Sequence, residues 1–266
     1  MNYFKQVYRA ILVAGMTMAG IPASHAGNDA NFVLYNHHLP EAGEREIELM
    51  SDIGQEPDGT RYTAQMLELT LGITDRWATE FMVEGQSTFG QGGYHFTGFR
   101  WENRYRVLKD EVFLNPVLYI EYEDLSSDTK YLMEVSGRED ALPVAKTRPR
   151  ERVLETRLIL SQDMGLLNIA ANWLNESDLD TGITHFGYAL GLNYGLTSDI
   201  TLGLEVFGGL GDSKKGVTAR GSITQHYASP NIRIKLTPDW SVKAGGAIGL
   251  TNVSQDIFRL AVSYEF

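Results

Sequence analysis

The clearest alternation of apolar and polar positions lies at the end of the chain, in Phe258-Arg-Leu-Ala-Val-Ser-Tyr-Glu-Phe266. Phe258, Leu260, Val262, Tyr264 and Phe266 share one parity, while Arg259, Ala261, Ser263 and Glu265 fill the other. A period of two sends successive side chains to opposite faces of a strand, so this segment predicts a strand whose faces meet different surroundings. The same alternation recurs upstream in segments of about ten residues. Ile47 and Leu49 oppose Glu46 and Glu48; Phe81 and Val83 oppose Glu80, Met82 and Glu84. Phe99, Trp101, Tyr105 and Val107 alternate with Arg100, Glu102, Arg104 and Arg106, the most heavily charged face in the chain. Leu118, Ile120 and Tyr122 alternate with Tyr119, Glu121 and Glu123, and Leu154, Leu158 and Leu160 with Glu155 and Arg157. Over 61–71 the adjacent pair Met66-Leu67 breaks the phase, which suggests a β-bulge there.

Later segments near 167–173, 185–194, 200–206, 222–236 and 242–250 keep an apolar outer parity, but their other parity is small or polar. Examples are Ala170, Gly187, Ala189, Gly191 and Gly245. Counting these and the closing segment gives twelve predicted strands. Their connections segregate by length. Those at 74–76, 162–165, 196–199 and 237–239 are tight, 108–115 is longer, and the longest stretches (125–152 and 208–221 among them) all fall on the other side. An even number of antiparallel strands with short turns on one side and long loops on the other is the pattern of a transmembrane up-and-down β-barrel. Aromatics such as Trp77, Trp240 and Tyr264 near one rim, with Tyr122 and Trp173 towards the other, fit two interfacial belts.

The chain of 266 residues begins with Lys5 and Arg9, an apolar run over 10–21, and small residues at Ser24 and Ala26. This predicts a secretory signal peptide over 1–26, followed by a periplasmic lead-in over 27–43 and the barrel over 44–266. Loss of residues 1–26, with two basic and no acidic side chains, moves the net charge from −11 to −13. That acidity excludes a nucleic-acid partner, which needs a basic surface. The absence of cysteine excludes disulfides, thiolate metal sites and a cysteine nucleophile.

An aromatic last residue with another two places before it, Tyr264 and Phe266, resembles the closing-strand signal of Gram-negative outer-membrane β-barrels. The turns Gly-Ile-Thr-Asp (72–75), Gly-Leu-Thr-Ser-Asp (195–199) and Leu-Thr-Pro-Asp (236–239) are similar to those of outer-membrane transporters named after the MetA pathway of phenol degradation. The resemblance implies an outer-membrane location, contact with outer-membrane lipid and lipopolysaccharide, and a C-terminal strand read by the barrel-assembly machinery. It also implies a small channel or passive transporter. It leaves the oligomeric state open.

The inward parity supplies the candidate functional residues. Glu80, Glu84, Arg100, Glu102, Arg104, Arg106, Glu121, Glu123, Glu155 and Arg157 come from adjacent strands, and Arg233, Lys243 and Arg259 from the last three. Two readings stand side by side: ion pairs that fill a small barrel, or opposed charged walls that set the selectivity of a conduit. The loop 125–152 carries Glu139-Asp140 and then Lys146, Arg148, Arg150 and Arg152. It either folds inward and narrows the lumen or meets lipopolysaccharide phosphates at the surface.

A closed structural or adhesive barrel and a lipid-modifying barrel enzyme are the alternatives to a channel. For the enzyme, Ser222 and His226 stand four residues apart, about 13 Å along a strand and too far for a direct hydrogen bond. The glycine-rich 208–216 lacks the order of a phosphate loop, and Asp178-Leu-Asp180-Thr-Gly182 lacks the closing glutamate of a calcium loop. His95, His185 and His226 read as rim residues. The expectation is therefore no catalytic residue, no cofactor and no metal.

Overall fold

The computed structural model describes residues 29–131, 149–214, 216–217 and 224–266. Their architecture is all-β, and no helix occurs among them. The first six strands are β1 (Arg45–Gln55), β2 (Arg61–Thr74), β3 (Trp77–Thr88), β4 (His95–Arg106), β5 (Pro116–Ser126) and β6 (Arg150–Met164). They are followed by β7 (Leu167–Asp178), β8 (Thr184–Gly195), β9 (Ile200–Asp212) and the two-residue β10 (Gly216–Val217). The last three are β11 (His226–Lys235), β12 (Trp240–Gly249) and β13 (Asp256–Glu265).

Twelve long strands close into one antiparallel barrel, and β10 only extends the tip of β9. Closure is made by β1 on β13, in register from Glu46 opposite Glu265 to Gln55 opposite Asp256. The Phe266 amide then donates to the Arg45 carbonyl at 2.9 Å. A closed ladder leaves no unpaired strand edge, which is what a backbone surrounded by hydrocarbon requires.

The end carrying Arg45 and Phe266 is here called the near end. Its connections are 75–76, 107–115, 165–166, 196–199 and 236–239, while the far end carries 127–149 and 213–225. The outer surface is apolar because the strands alternate as read: Leu49, Phe81, Trp101, Leu118, Leu204 and Phe258 are all exposed there. At the near rim Tyr264 lies 4.7 Å from Trp240 and 5.7 Å from Phe266, centroid to centroid, on that same outer face.

Two expectations are corrected. The phase break at Met66-Leu67 is not a bulge, for the ladder runs unshifted from Met50 through Met66 to Glu84. Met66 is an inward residue in an apolar part of the interior, packed with Met50, Tyr62, Ala64 and Met82. The register shift in β2 lies instead between Gly72 and Thr74, beside the turn. The second correction concerns the lead-in. Residues 29–40 do not trail outside the near end; they run inside the barrel, where Ala30, Val33, Leu34 and His37 are buried. The signal peptide expected over 1–26 lies outside the described residues.

Candidate functional site

The interior is built by two unlike walls. Along β3 to β7 the registered pairing sets carboxylates directly opposite one another: Glu80 with Glu102, Glu102 with Glu121, Glu121 with Glu155, and Glu155 with Glu176. Like charges facing across a ladder are destabilising. The row is tolerated because arginines stand two residues along the same strands, one inward position away. Arg104 pairs with Glu80 and, at 2.8 Å, with Glu102. Arg100 reaches Glu84 at 2.7 Å, Glu121 at 3.1 Å and Glu123 at 3.5 Å. Arg157 pairs with Glu155 and lies over the Tyr119 ring at 4.5 Å. Such buried clusters repay their desolvation only when each charge finds partners with good geometry.

The inward faces of β7 to β9 are mostly small and polar, with Leu174 and Phe207 among them, and residues 29–40 occupy the room they leave, Val33 and Leu34 clustering with those two. Glu205 on β9 accepts the amides of Phe32, Val33 and Leu34 at 3.0, 3.0 and 2.7 Å. Asn172 on β7 accepts the Tyr35 amide and donates to the Tyr35 carbonyl, both at 2.8 Å, as a neighbouring strand would. The Ala30 amide donates to Asn193 at 3.0 Å and the His37 amide to Ser161 at 2.8 Å. Gly203 is required by this seat: a Cβ there would stand 2.6 Å from Asn31 Oδ1 and 3.1 Å from Ala30 Cβ.

The segment also touches the opposite walls. Tyr35 donates its hydroxyl to Glu102 at 2.8 Å and lies beneath Arg104 and Arg157, at 4.8 and 5.0 Å. Arg157 donates to the Val33 carbonyl at 2.9 Å. Phe32 sits between Lys243 and Arg259, at 5.2 and 5.3 Å from its ring. Those cations are themselves held: Arg259 binds Asp52 through two bonds of 2.6 and 2.7 Å, and Lys243 reaches Glu48 at 3.0 Å. Cation–π contacts of this kind strengthen once water is excluded. Burial pushes His37 down to about 4, with the neighbouring His38 adding to the shift, so its imidazole is neutral.

Beneath the segment, at the near end, lies a cavity of about 600 Å³. Asn31, Phe32, Leu34 and Tyr35 contribute to its lining from the segment, and β1, β2, β3, β12 and β13 contribute from the wall. Seven of its charged lining residues are acidic (Asp29, Glu44, Glu46, Glu48, Glu68, Glu80 and Asp163), against three basic ones (Arg104, Arg233 and Lys243). At the other end of the barrel the long far-end loop begins by turning inward. Thr129 donates to Glu84 at 2.7 Å, the Lys130 amide to Gln86 at 2.7 Å, and Tyr131 to Met50 Sδ at 3.1 Å. The remainder of the predicted constriction, with Glu139, Asp140, Lys146 and Arg148, lies outside the described residues.

The predicted inward residues thus divide by place. Glu84, Arg100, Glu102, Glu121, Glu123, Glu155, Arg157 and Arg259 are buried in the ionic clusters. Glu80, Arg104, Arg233 and Lys243 face the near-end cavity. Arg106 does not join them: it bends to the near rim and donates to the Asp75 carbonyl at 2.8 Å, because its strand ends there. Arg100 meets Glu121 and Glu123 on the next strand, Arg157 meets Glu155 along its own strand, and Arg104 turns to Glu80 on β3 and Glu102 on its own strand. Sequence reasoning missed Asp52, although it shares the parity of Glu46 and Glu48, and it missed the whole segment 29–40. The apolar run Phe32-Val-Leu-Tyr35 was the available signal. Ser222 lies outside the described residues, and His226 contacts Tyr188 at 3.1 Å and Thr224 at 2.9 Å.

No protein-family profile matches the chain, and no curated protein matches it. Solved structures do match. An outer membrane channel from Pseudomonas putida F1 superposes with a TM-score of 0.53 at 12% identity, covering 86% of this chain and 97% of that one. The KdgM porin, solved in complex with disordered oligogalacturonate, gives 0.54 at 10% identity, covering 83% and 99%. The NanC porin gives 0.53 at 12% identity, covering 82% and 98%. At these identities the likeness is one of fold. The chain has the closed twelve-stranded antiparallel fold of outer-membrane channels and porins.

Proposed function

We propose that this protein is an outer-membrane channel for small polar solutes, closed in the form described by its own residues 29–40, and exported by the signal peptide read over 1–26. The observation that carries this reading is the nature of the obstruction. One continuous segment, held by hydrogen bonds, ring contacts and apolar packing, lies against β7 to β9, where Gly203 leaves room for it. A structural barrel has no need of a removable filling; packed side chains from opposite walls suffice. The fold shared with known channels and porins, the apolar outer surface and the cavity with charged lining residues at one end support the same reading.

The excess of carboxylates around the cavity gives the channel a preference for cations, since a ring of one sign of charge raises the local concentration of its counter-ion. The near end is then the periplasmic one, and outer-membrane lipid and lipopolysaccharide surround the wall.

Planar-bilayer recording tests the reading. The full chain is expected to conduct weakly or intermittently, and a variant lacking residues 29–40 to conduct in larger, steady steps with a reversal potential on the cation side. If the shortened barrel keeps its heat-modifiable gel migration yet passes no current, the protein is a closed structural barrel and the proposal fails.

A further inference from the structure

Three side chains converge where the N-terminal segment leaves the barrel wall. His37 and His38 stand side by side on the segment, their rings 4.2 Å apart, and Asp163 faces them from the near end of β6. His38 Nε2 is 3.0 Å from Asp163 Oδ2, and His37 Nε2 is 3.7 Å from the same oxygen. All three donor atoms lie within 4.8 Å of one another. Ligands at the usual zinc distances, arranged tetrahedrally, are about 3.3 Å apart. The two imidazole–carboxylate distances are already close to that value, and no pair of donors needs to close by more than about 1.5 Å to take an ion.

Two further observations separate it from a chance pairing of surface groups. His37 is fully buried, and its Nε2 has no hydrogen-bond partner among the described residues. A buried polar atom left unpaired costs free energy and calls for an explanation. Its other ring nitrogen is occupied, since Nδ1 contacts the Ser161 hydroxyl. The second oxygen of Asp163 is held by Asn168 Nδ2 at 2.6 Å. Supporting contacts of this sort fix the orientation of metal ligands and select which nitrogen faces the ion.

We propose that His37, His38 and Asp163 form a binding site for a divalent transition-metal ion. Two imidazoles and one carboxylate suit zinc, nickel, cobalt or copper better than magnesium or calcium, which favour all-oxygen shells. The remaining coordination positions face the near-end cavity, whose lining includes His38 and Asp163, and are filled by water or solute. Two ligands belong to the segment and one to the wall, so the ion ties the one to the other. Because it binds the seated segment and not the released one, saturation favours the seated form by mass action, about a hundredfold when the metal is at a hundred times its Kd. The ligand set stands whatever the barrel conducts.

The test uses the purified full chain in detergent, free of any histidine tag. Zinc is titrated calorimetrically, and cobalt(II) is titrated by its visible absorption, which reports on coordination. One ion per chain is expected, with a cobalt spectrum of low coordination number. His38→Ala and Asp163→Asn should each weaken binding by roughly tenfold or more, and Asn168→Ala by less. His95→Ala, at the far end, should leave it unchanged, and heat-modifiable migration verifies that each variant is folded. Stoichiometric binding unaffected by His38→Ala and Asp163→Asn, or no saturable binding by a folded wild type, overturns the proposal.

Discussion

Along β3 to β6 the inward face carries long acidic and basic side chains that pair with one another; along β7 to β9 the small and polar inward side chains reach a different part of the chain. Arg100 alone contacts three carboxylates on its two neighbouring strands. On the other side, Asn172, Asn193, Gly203 and Glu205 all meet residues 29–40. The first wall is filled by its own atoms and cannot open without stranding charge. The second is filled by a lodger that bonds to Asn172, Asn193 and Glu205 and packs Val33 and Leu34 in one cluster with Leu174, Ala189 and Phe207. An interior built of one fixed wall and one removable filling separates the stability of the barrel from the state of its lumen.

Removing charge from the fixed wall should have the largest effect. Arg100→Met leaves Glu84, Glu121 and Glu123 without their shared cation, and a broken buried ion pair costs about 3–5 kcal/mol. The midpoint of urea unfolding in detergent or lipid should fall accordingly; an unchanged midpoint would mean that the fixed wall is not what holds the barrel. Gly203→Val should act in the other sense. The added side chain collides with Asn31, an overpacking of about 1–3 kcal/mol borne by the seat of the segment. Conductance should rise several-fold while barrel unfolding barely moves, and if the two move together the walls are not independent.

Glu205→Gln is milder. It keeps the shape, but its NH2 group cannot accept, so with the remaining oxygen turned to Val33 and Leu34 the Phe32 amide and Asn231 lose their acceptor, at about 1–2 kcal/mol, or roughly five- to thirtyfold in the seated population. Protease cleavage within 29–40 of the detergent-solubilised barrel should speed up by that factor. The smallest effect expected is that of pH. His37 is held at about 4 inside and titrates near 6.5 when released, so release takes up a proton first. Its contribution to seating is complete above about 6.5 and fades as pH falls towards 4. Channel opening at pH 5 should exceed that at pH 7.5 in the wild type, and the difference should shrink in His37→Gln.

These two walls were unequally legible. The charged one is written in local alternation: Arg100, Glu102 and Arg104 must share a face if 95–106 is a strand, and β5 and β6 then bring Glu121 and Glu155 beside it. Parity also assigns Asp52 inward, but its partner Arg259 is 207 residues away and becomes a neighbour only through closure. The segment 29–40 carries no period to read. Its backbone bonds go to side chains of Glu205, Asn172 and Ser161 rather than to a ladder, so nothing in its own sequence repeats. Met66 misled for a related reason. Alternation of apolar and polar residues assumes a polar interior, and around Met50, Tyr62 and Met66 the interior is apolar.

The seat of residues 29–40 also bears on the order in which the molecule is completed. The segment precedes in the chain every strand it lies on, and its contacts on β6, β7, β8 and β9 come from Ser161, Asn172, Asn193 and Glu205. Its partners therefore do not exist as a surface until that part of the wall has been assembled in register. A slip of one strand by two residues would carry Asn172 or Glu205 out of reach of the amides they accept. The first described residues of the chain are thus among the last to find their place, and their arrival marks a barrel that has been put together correctly.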